Sequence, residues 1–144
     1  MYKTKYFKLE ELAHPQIIDS IGEVNTWLRL DADVLKDLDY IREEWYFIYQ
    51  SGIYCNRLNL GLDSRGLRPP NDPDGSFYST HKNGGTFDLE PVNGKDREFF
   101  NFVKGLIKSG KLKALNTLED FECTLGWTHT AKTNTDQKPL IIKP

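Results

Sequence analysis

The stretch "CNRLNLGLDSRGLRPPNDPDGSFY", residues 55–78, limits what this chain can fold into more than any other. Gly, Pro, Asn and Asp fill nearly every turn-prone slot, so neither a helical nor a strand period survives across it. It reads as a long loop inside a compact domain. Loops longer than ~15 residues without structure of their own are usually functional or mobile.

The patterns on either side of that loop set the fold class. "YFKLEELAHP" predicts a short helix stopped before Pro15, with Phe7, Leu9 and Leu12 apolar. "PQIIDSIGE" predicts a second, opening on Pro15 and ending at Gly22. The clearest helix is "DADVLKDLDYIREEW", where Val34, Leu38, Ile41 and Trp45 form one stripe of a 3.6-residue repeat and Asp31 or Asp33 supplies the N-cap. "YFIYQSGIY" is aromatic and β-branched and reads as a strand. After the loop, "GTFDLEP" predicts a strand ended by Pro91. "KDREFFNFVKGLIKSG" predicts a helix with Phe99, Phe102, Val103 and Leu106 on one side and Gly110 as its C-cap. Short strands are expected at Ala114–Leu118, Leu125–Thr130 and Leu140–Ile142. The order predicts an α+β fold with a small antiparallel sheet, in one domain over residues 1–144.

Charge and cysteine content narrow the function classes. With net charge −2 and pI near 5.9 there is no electrostatic case for nucleic acid or an anionic membrane. The loose cluster Lys104, Lys108, Lys111 and Lys113 reads as a solvated helix face. Cys55 and Cys123 are far apart and read as free buried thiols. "MYKTKYFKLEEL" lacks the apolar core of a signal peptide, and no run approaches the ~20 apolar residues of a membrane span. The expectation is a monomer made as a soluble cytoplasmic protein.

Three histidines are available, and two fall where a metal site can form. His14, against Pro15 at a helix end, reads as a surface or capping residue. His129 lies in the alternating stretch "LGWTHTA", on the same strand face as Trp127. Asp88 sits in "TFDLE" between Phe87 and Leu89, where a carboxylate is costly to desolvate unless paired or metal-bound. His81, in "STHKNGGTFD", completes a possible set. His81, Asp88 and His129 would supply three ligands and leave the fourth place on a zinc ion to water, the pattern of catalytic rather than structural zinc.

The residues Ser79, His81, Gly84 and Asp88 resemble the S-x-H-x-x-G-x-A-x-D signature of the zinc D-alanyl-D-alanine carboxypeptidase family, with Thr86 in place of the alanine. That family includes phage and bacterial L-alanyl-D-glutamate endopeptidases, and its fold is shared with the amino-terminal domain of hedgehog proteins. "WTH" at 127–129 resembles the closing W-x-H element. The upstream "FKLEEL" helix and "SGIY" resemble the family's N-terminal helix and S-G-Y-R strand end, so the similarity spans nearly the whole chain. It implies Zn2+ held by His81, Asp88 and His129, with Ser79 and Trp127 close to substrate and Gly84 permitting the turn that brings the histidine loop onto the strand.

The chain departs from the family at two places. Many members carry a catalytic glutamate three residues before the last histidine, where this chain has Gly126; the S-G-Y-R arginine falls on Tyr54. A proton carrier contributes roughly 10²–10⁴-fold in such chemistry, and the candidates here are Glu119 and Glu122. For the arginine, Arg57, Arg65 and Arg68 of the long loop are candidates, since a guanidinium fork suits a carboxylate or carbonyl. Two expectations follow. One is a zinc peptidase of endolysin type, phage-encoded or phage-derived, reaching the wall after membrane breach and cutting D-Ala–D-Ala or L-Ala–D-Glu in the peptidoglycan stem peptide. The other is a catalytically impaired metal-binding module of the same fold, serving as a wall-binding or virion component.

Overall fold

The computed structural model describes residues 1–73, 79–124 and 126–144. Four helices precede or flank a five-stranded sheet: α1 (Leu9–Leu12), α2 (Pro15–Arg29), α3 (Ala32–Tyr49), β1 (Ile53–Tyr54), β2 (Thr86–Pro91), α4 (Asp96–Lys108), β3 (Thr117–Glu119), β4 (Thr128–Ala131) and β5 (Leu140–Ile142). The architecture is α+β. No helix among the described residues is long and apolar enough to cross a membrane.

The helices begin where the local chemistry demands. His14 caps α2, its Nδ1 accepting from Gln16 N at 3.1 Å. Gly22, at φ 80°, breaks the helix as its sequence suggests, but the helical path resumes to Arg29 because Thr26 and Trp27 are buried on the core side. Asp31 caps α3, accepting from Asp33 N and Val34 N at 3.0 and 3.2 Å. The stripe Val34, Leu38, Ile41, Trp45 is wholly buried in the hydrophobic core, where Trp45 meets Phe99 and Phe102 of α4.

That stripe corrects the strand expected at "YFIYQSGIY". The helix runs on to Tyr49, whose ring lies 4.0 Å from that of Trp45, and turns out through Gln50 at φ 53°. Only Ile53 and Tyr54 are strand. Trp45 and Tyr49 are an i, i+4 pair, and Trp45 packs on Phe99 and Phe102 of α4, so the 3.6-residue period wins over β-prone composition.

The strand order is β1-β2-β4-β3-β5. All pairs are antiparallel except β3 with β5. Because β4 is already flanked by β2 and β3, the returning β5 pairs outside β3. Being antiparallel to β4, it lies parallel to β3, which corrects the purely antiparallel expectation. The strand expected from Leu125 begins at Thr128; Leu125 itself lies outside the described residues.

Two buried carboxylates on α3 fasten distant segments. Asp37 accepts from Lys113 N, Ala114 N and Leu115 N at 2.7–3.0 Å, fixing the chain between α4 and β3. Asp39 accepts from Lys5 N, Tyr6 N and the Tyr2 hydroxyl, fixing the N-terminal segment. That hydrogen bond, with the burial and negative charge that accompany it, pushes the Tyr2 phenol up to about 12. The four lysines of the loose cluster are exposed, Lys111 and Lys113 beyond the end of α4. Both thiols are free. Cys55 is buried, but Cys123 is exposed, against expectation, because the short turn Phe121–Cys123 stands out from the sheet.

The long loop is built rather than slack over its described part, residues 55–73; residues 74–78 lie outside the described set. Asn56 is buried, donates to Glu10 O and Ala13 O, and accepts from Arg65 N. Leu67 N donates to Leu12 O, and His14 N to Leu67 O. A side chain at Gly66 would meet Leu12 O at 2.0 Å, so only glycine lets this backbone lie flat on the α1–α2 corner.

Candidate metal centre

Asp88 and His129 are directly opposed across β2 and β4. Their side chains meet on one face, with His129 Nδ1 2.8 Å from Asp88 Oδ1. His81 comes from the one-turn helix Thr80–Asn83 just before β2, and its Nε2 lies 3.3 Å from Asp88 Oδ2. Gly84 closes that turn at φ 72°. A Cβ there would strike Arg29 O at 2.1 Å, and Gly84 O accepts from Asp31 N. The turn is therefore fixed against the start of α3. All three side chains are buried, and their donor atoms lie within 4.8 Å of one another.

The segment 65–68 holds this cluster from behind. Asp88 N donates to Arg65 O at 2.8 Å, and Arg68 N to His81 O at 3.1 Å. His81 Nδ1 lies 3.0 Å from Gly66 O. A carbonyl oxygen only accepts, so Nδ1 donates to it, and Nε2 is the ring nitrogen that faces the Asp88 carboxylate. A histidine whose second nitrogen donates to a carbonyl is also the usual metal-binding arrangement. Two ligands ~2 Å from a tetrahedral ion lie roughly 3.3 Å apart, matching the separation of His81 from Asp88. The group can hold a metal ion.

Electrostatics agree. Burial pushes the Asp88 carboxyl up, but the hydrogen bonds and charge of His129 and His81 outweigh it and hold it down at about 2. Asp88 is therefore a carboxylate throughout the neutral range. Cys55 is close by, and burial together with the Asp88 charge pushes its thiol up.

A cleft of about 410 Å³ opens over the three side chains and is also lined by Arg68, Ser79, Glu119, Trp127, Ile142 and Pro144. The sheet register explains much of this. Thr117 and Leu118 pair with Ala131 and Thr130, so the same register extended by one residue sets Glu119 against His129. Glu119 in turn pairs with Ile142. Asp88, His129, Glu119 and Ile142 thus form one row across four strands, each step ~4.8 Å.

The other candidates separate cleanly. Glu122 is turned to solvent and its carboxylate is paired with Arg97, so it is not brought to the cleft. The turn Phe121–Cys123 that follows Glu119 carries it away. Arg57 is held at Glu90 at 3.5 Å and stacks on Tyr54, lining a different groove beside α1. Arg65 pairs with Glu90 at 2.5 Å and lies 6.0 Å from the Trp127 ring. Arg68 alone of the loop arginines reaches the candidate ligands, with Nη2 3.6 Å from Asp88 Oδ2 and Nε donating to Ser64 O. A second cleft of about 280 Å³ adjoins the first, sharing Arg68, Asp88 and Trp127. Gly66 and Ile142 were missed in the sequence. Neither a backbone carbonyl nor an edge-strand isoleucine carries a chemical signal there. Compared with models of protein families, with curated proteins and with solved structures, the chain matches none.

Proposed function

We propose that this chain is a zinc-dependent peptidase acting on the peptidoglycan stem peptide, of the D-Ala-D-Ala carboxypeptidase or L-Ala-D-Glu endopeptidase type, with the fold those enzymes share with hedgehog amino-terminal domains. The observation that carries the reading is the sheet row in which a buried His–Asp–His group is followed, one strand over, by a carboxylate in the same cleft. His81 Nε2, Asp88 and His129 Nδ1 would hold the ion. When bound, zinc supplies a Lewis acid for a carbonyl and lowers the pKa of water toward ~7.

The chain's own groups supply the remainder. Hydrolysis adds one water across the amide: a C–O bond forms, the C–N bond breaks, and a proton leaves the water and returns to the nitrogen. Glu119 is the group placed to accept that proton and hand it back. The register of β3, which sets a glutamate in the lining of the same cleft, supports Glu119 for the role that Gly126 cannot fill. Arg68 is the counterpart for the role that falls on Tyr54. Its guanidinium beside Asp88 faces the cleft, where it can steady the negative charge that develops on the carbonyl oxygen. Ser79 offers a hydroxyl to the substrate backbone, and Trp127 forms a wall between the two clefts.

The test is Glu119→Gln in zinc-loaded protein, assayed on peptidoglycan fragments. The expected result is a loss of ~10²-fold or more in turnover with zinc still bound, while Glu122→Gln keeps full activity. If the zinc-loaded wild type hydrolyses no wall fragment, the reading gives way to the impaired binding module.

A further inference from the structure

The row Asp88–His129–Glu119–Ile142 has a direction. Its polar end is Asp88, with Arg68 beside it. Its far end is Ile142 on the edge strand β5, partly buried, with Pro144 next to it in the lining of the cleft. From Asp88 to Ile142 the row spans three strand steps, ~14 Å, enough for a dipeptide laid across the strands. The nearest cation in sequence at the far end, Lys143, is paired with Asp120 at 3.5 Å. Trp127, Ile142 and Pro144 supply the apolar side of the cleft.

We infer that Ile142 is a specificity-determining residue: with Pro144 it forms an apolar end wall that selects an uncharged, small side chain on the leaving residue of the substrate. This rests on the peptidase reading, through one step. Glu119 returns its proton to the leaving nitrogen, so the leaving residue lies on the Glu119 side of the scissile bond. One strand beyond Glu119 in register is Ile142. An acidic side chain seated there would lose water against two apolar residues and a glutamate, and among the described residues the one cation lining the cleft, Arg68, stands at the Asp88 end. Selection at that end is therefore made by β5, a strand with no part in holding the metal.

Three acetylated peptides that differ only in the leaving residue, N-acetyl-D-Ala-D-Ala, -D-Glu and -D-Leu, test this on zinc-loaded protein. Affinity is read by calorimetry and amine release separately, with thermal melting as the check on folding. Wild type is expected to bind the alanine peptide at least about tenfold tighter than the glutamate peptide. Ile142→Lys should shrink or invert that ratio, and Ile142→Ala should raise affinity for the leucine peptide. An unchanged ratio in a normally melting Ile142→Lys, or an Ile142→Ala that leaves leucine where it was, overturns the inference even if amine is released. A shifted ratio without amine release keeps the specificity wall and removes the peptidase reading. Failure to bind any of the peptides overturns both.

Discussion

Among the described residues, three aspartates are buried in helices or strands, and their neighbours differ in kind. Asp37 and Asp39, on α3, are met by backbone N–H groups of segments far away in sequence. Asp88, on β2, is met by two imidazoles and a guanidinium. Backbone amides are already fully committed donors. A carboxylate satisfied by them is a fastener that ties distant segments together. Imidazoles carry lone pairs as well as protons, so a carboxylate facing two of them forms a group that can hold a metal ion. The same side chain thus makes structure in one place and a site in the other, and the partners decide which.

The sharpest way to break the comparison is to remove each carboxylate in turn. Asp37→Ala leaves three backbone donors without their acceptor in the link between α4 and β3. The expected cost is about 3–5 kcal/mol, read by urea unfolding, with the metal affinity of the molecules that remain folded unchanged. Asp88→Asn should do the reverse, weakening zinc at least about a hundredfold, or ~2.8 kcal/mol, by competition against a chelator, while the fold survives. If both substitutions weaken metal and stability alike, the division between fastener and ligand is wrong.

Asp31 refines the comparison at smaller scale, because it both caps α3 and pairs with Lys132 at 2.6 Å. Burial pushes its carboxyl up, but the Lys132 hydrogen bond and the capping amides hold it below the usual range. A carboxyl lowered on folding adds stability above its ordinary pKa of ~3.9 and loses it as pH falls below that. Asp31→Asn keeps the cap, so its deficit should stay under ~1 kcal/mol at pH 7 for a pair this exposed and vanish in acid. Asp31→Ala should cost about 1 kcal/mol more at both pH values. Stability against pH for the two variants checks it.

How much of this could be read in advance follows the same line. His81, Asp88 and His129 were legible because their side chains are chemically distinctive and the alternation of "TFDLE" and "WTHTA" fixes which face each uses. Asp37 and Asp39 were not, since they look like the wet face of an amphipathic helix. Their amide partners lie some thirty to eighty residues away, at a distance no local pattern encodes. Glu119 and Glu122 are both candidates in the sequence, with Glu119 slightly favoured because it precedes the turn; the structure puts only Glu119 in the lining of the cleft, because three residues decide between a strand end and an exposed turn. The aromatic run 46–49 was misread for a different reason: Tyr49 belongs to a helical pair with Trp45, and composition outweighed period in the reading. In the loop, Gly and Pro announced turns correctly. They did not announce that Gly66 would lie on Leu12 and present its carbonyl to His81.

The central claim is that His81, Asp88 and His129 hold one metal ion, and metal content tests it most directly. Wild type and His129→Ala, purified and equilibrated with zinc at neutral pH, would be dialysed and measured by elemental analysis, with melting curves for both. The expected result is one zinc per chain in wild type and none in a folded His129→Ala. A wild type that retains no zinc, or a His129→Ala that retains as much, would contradict the account.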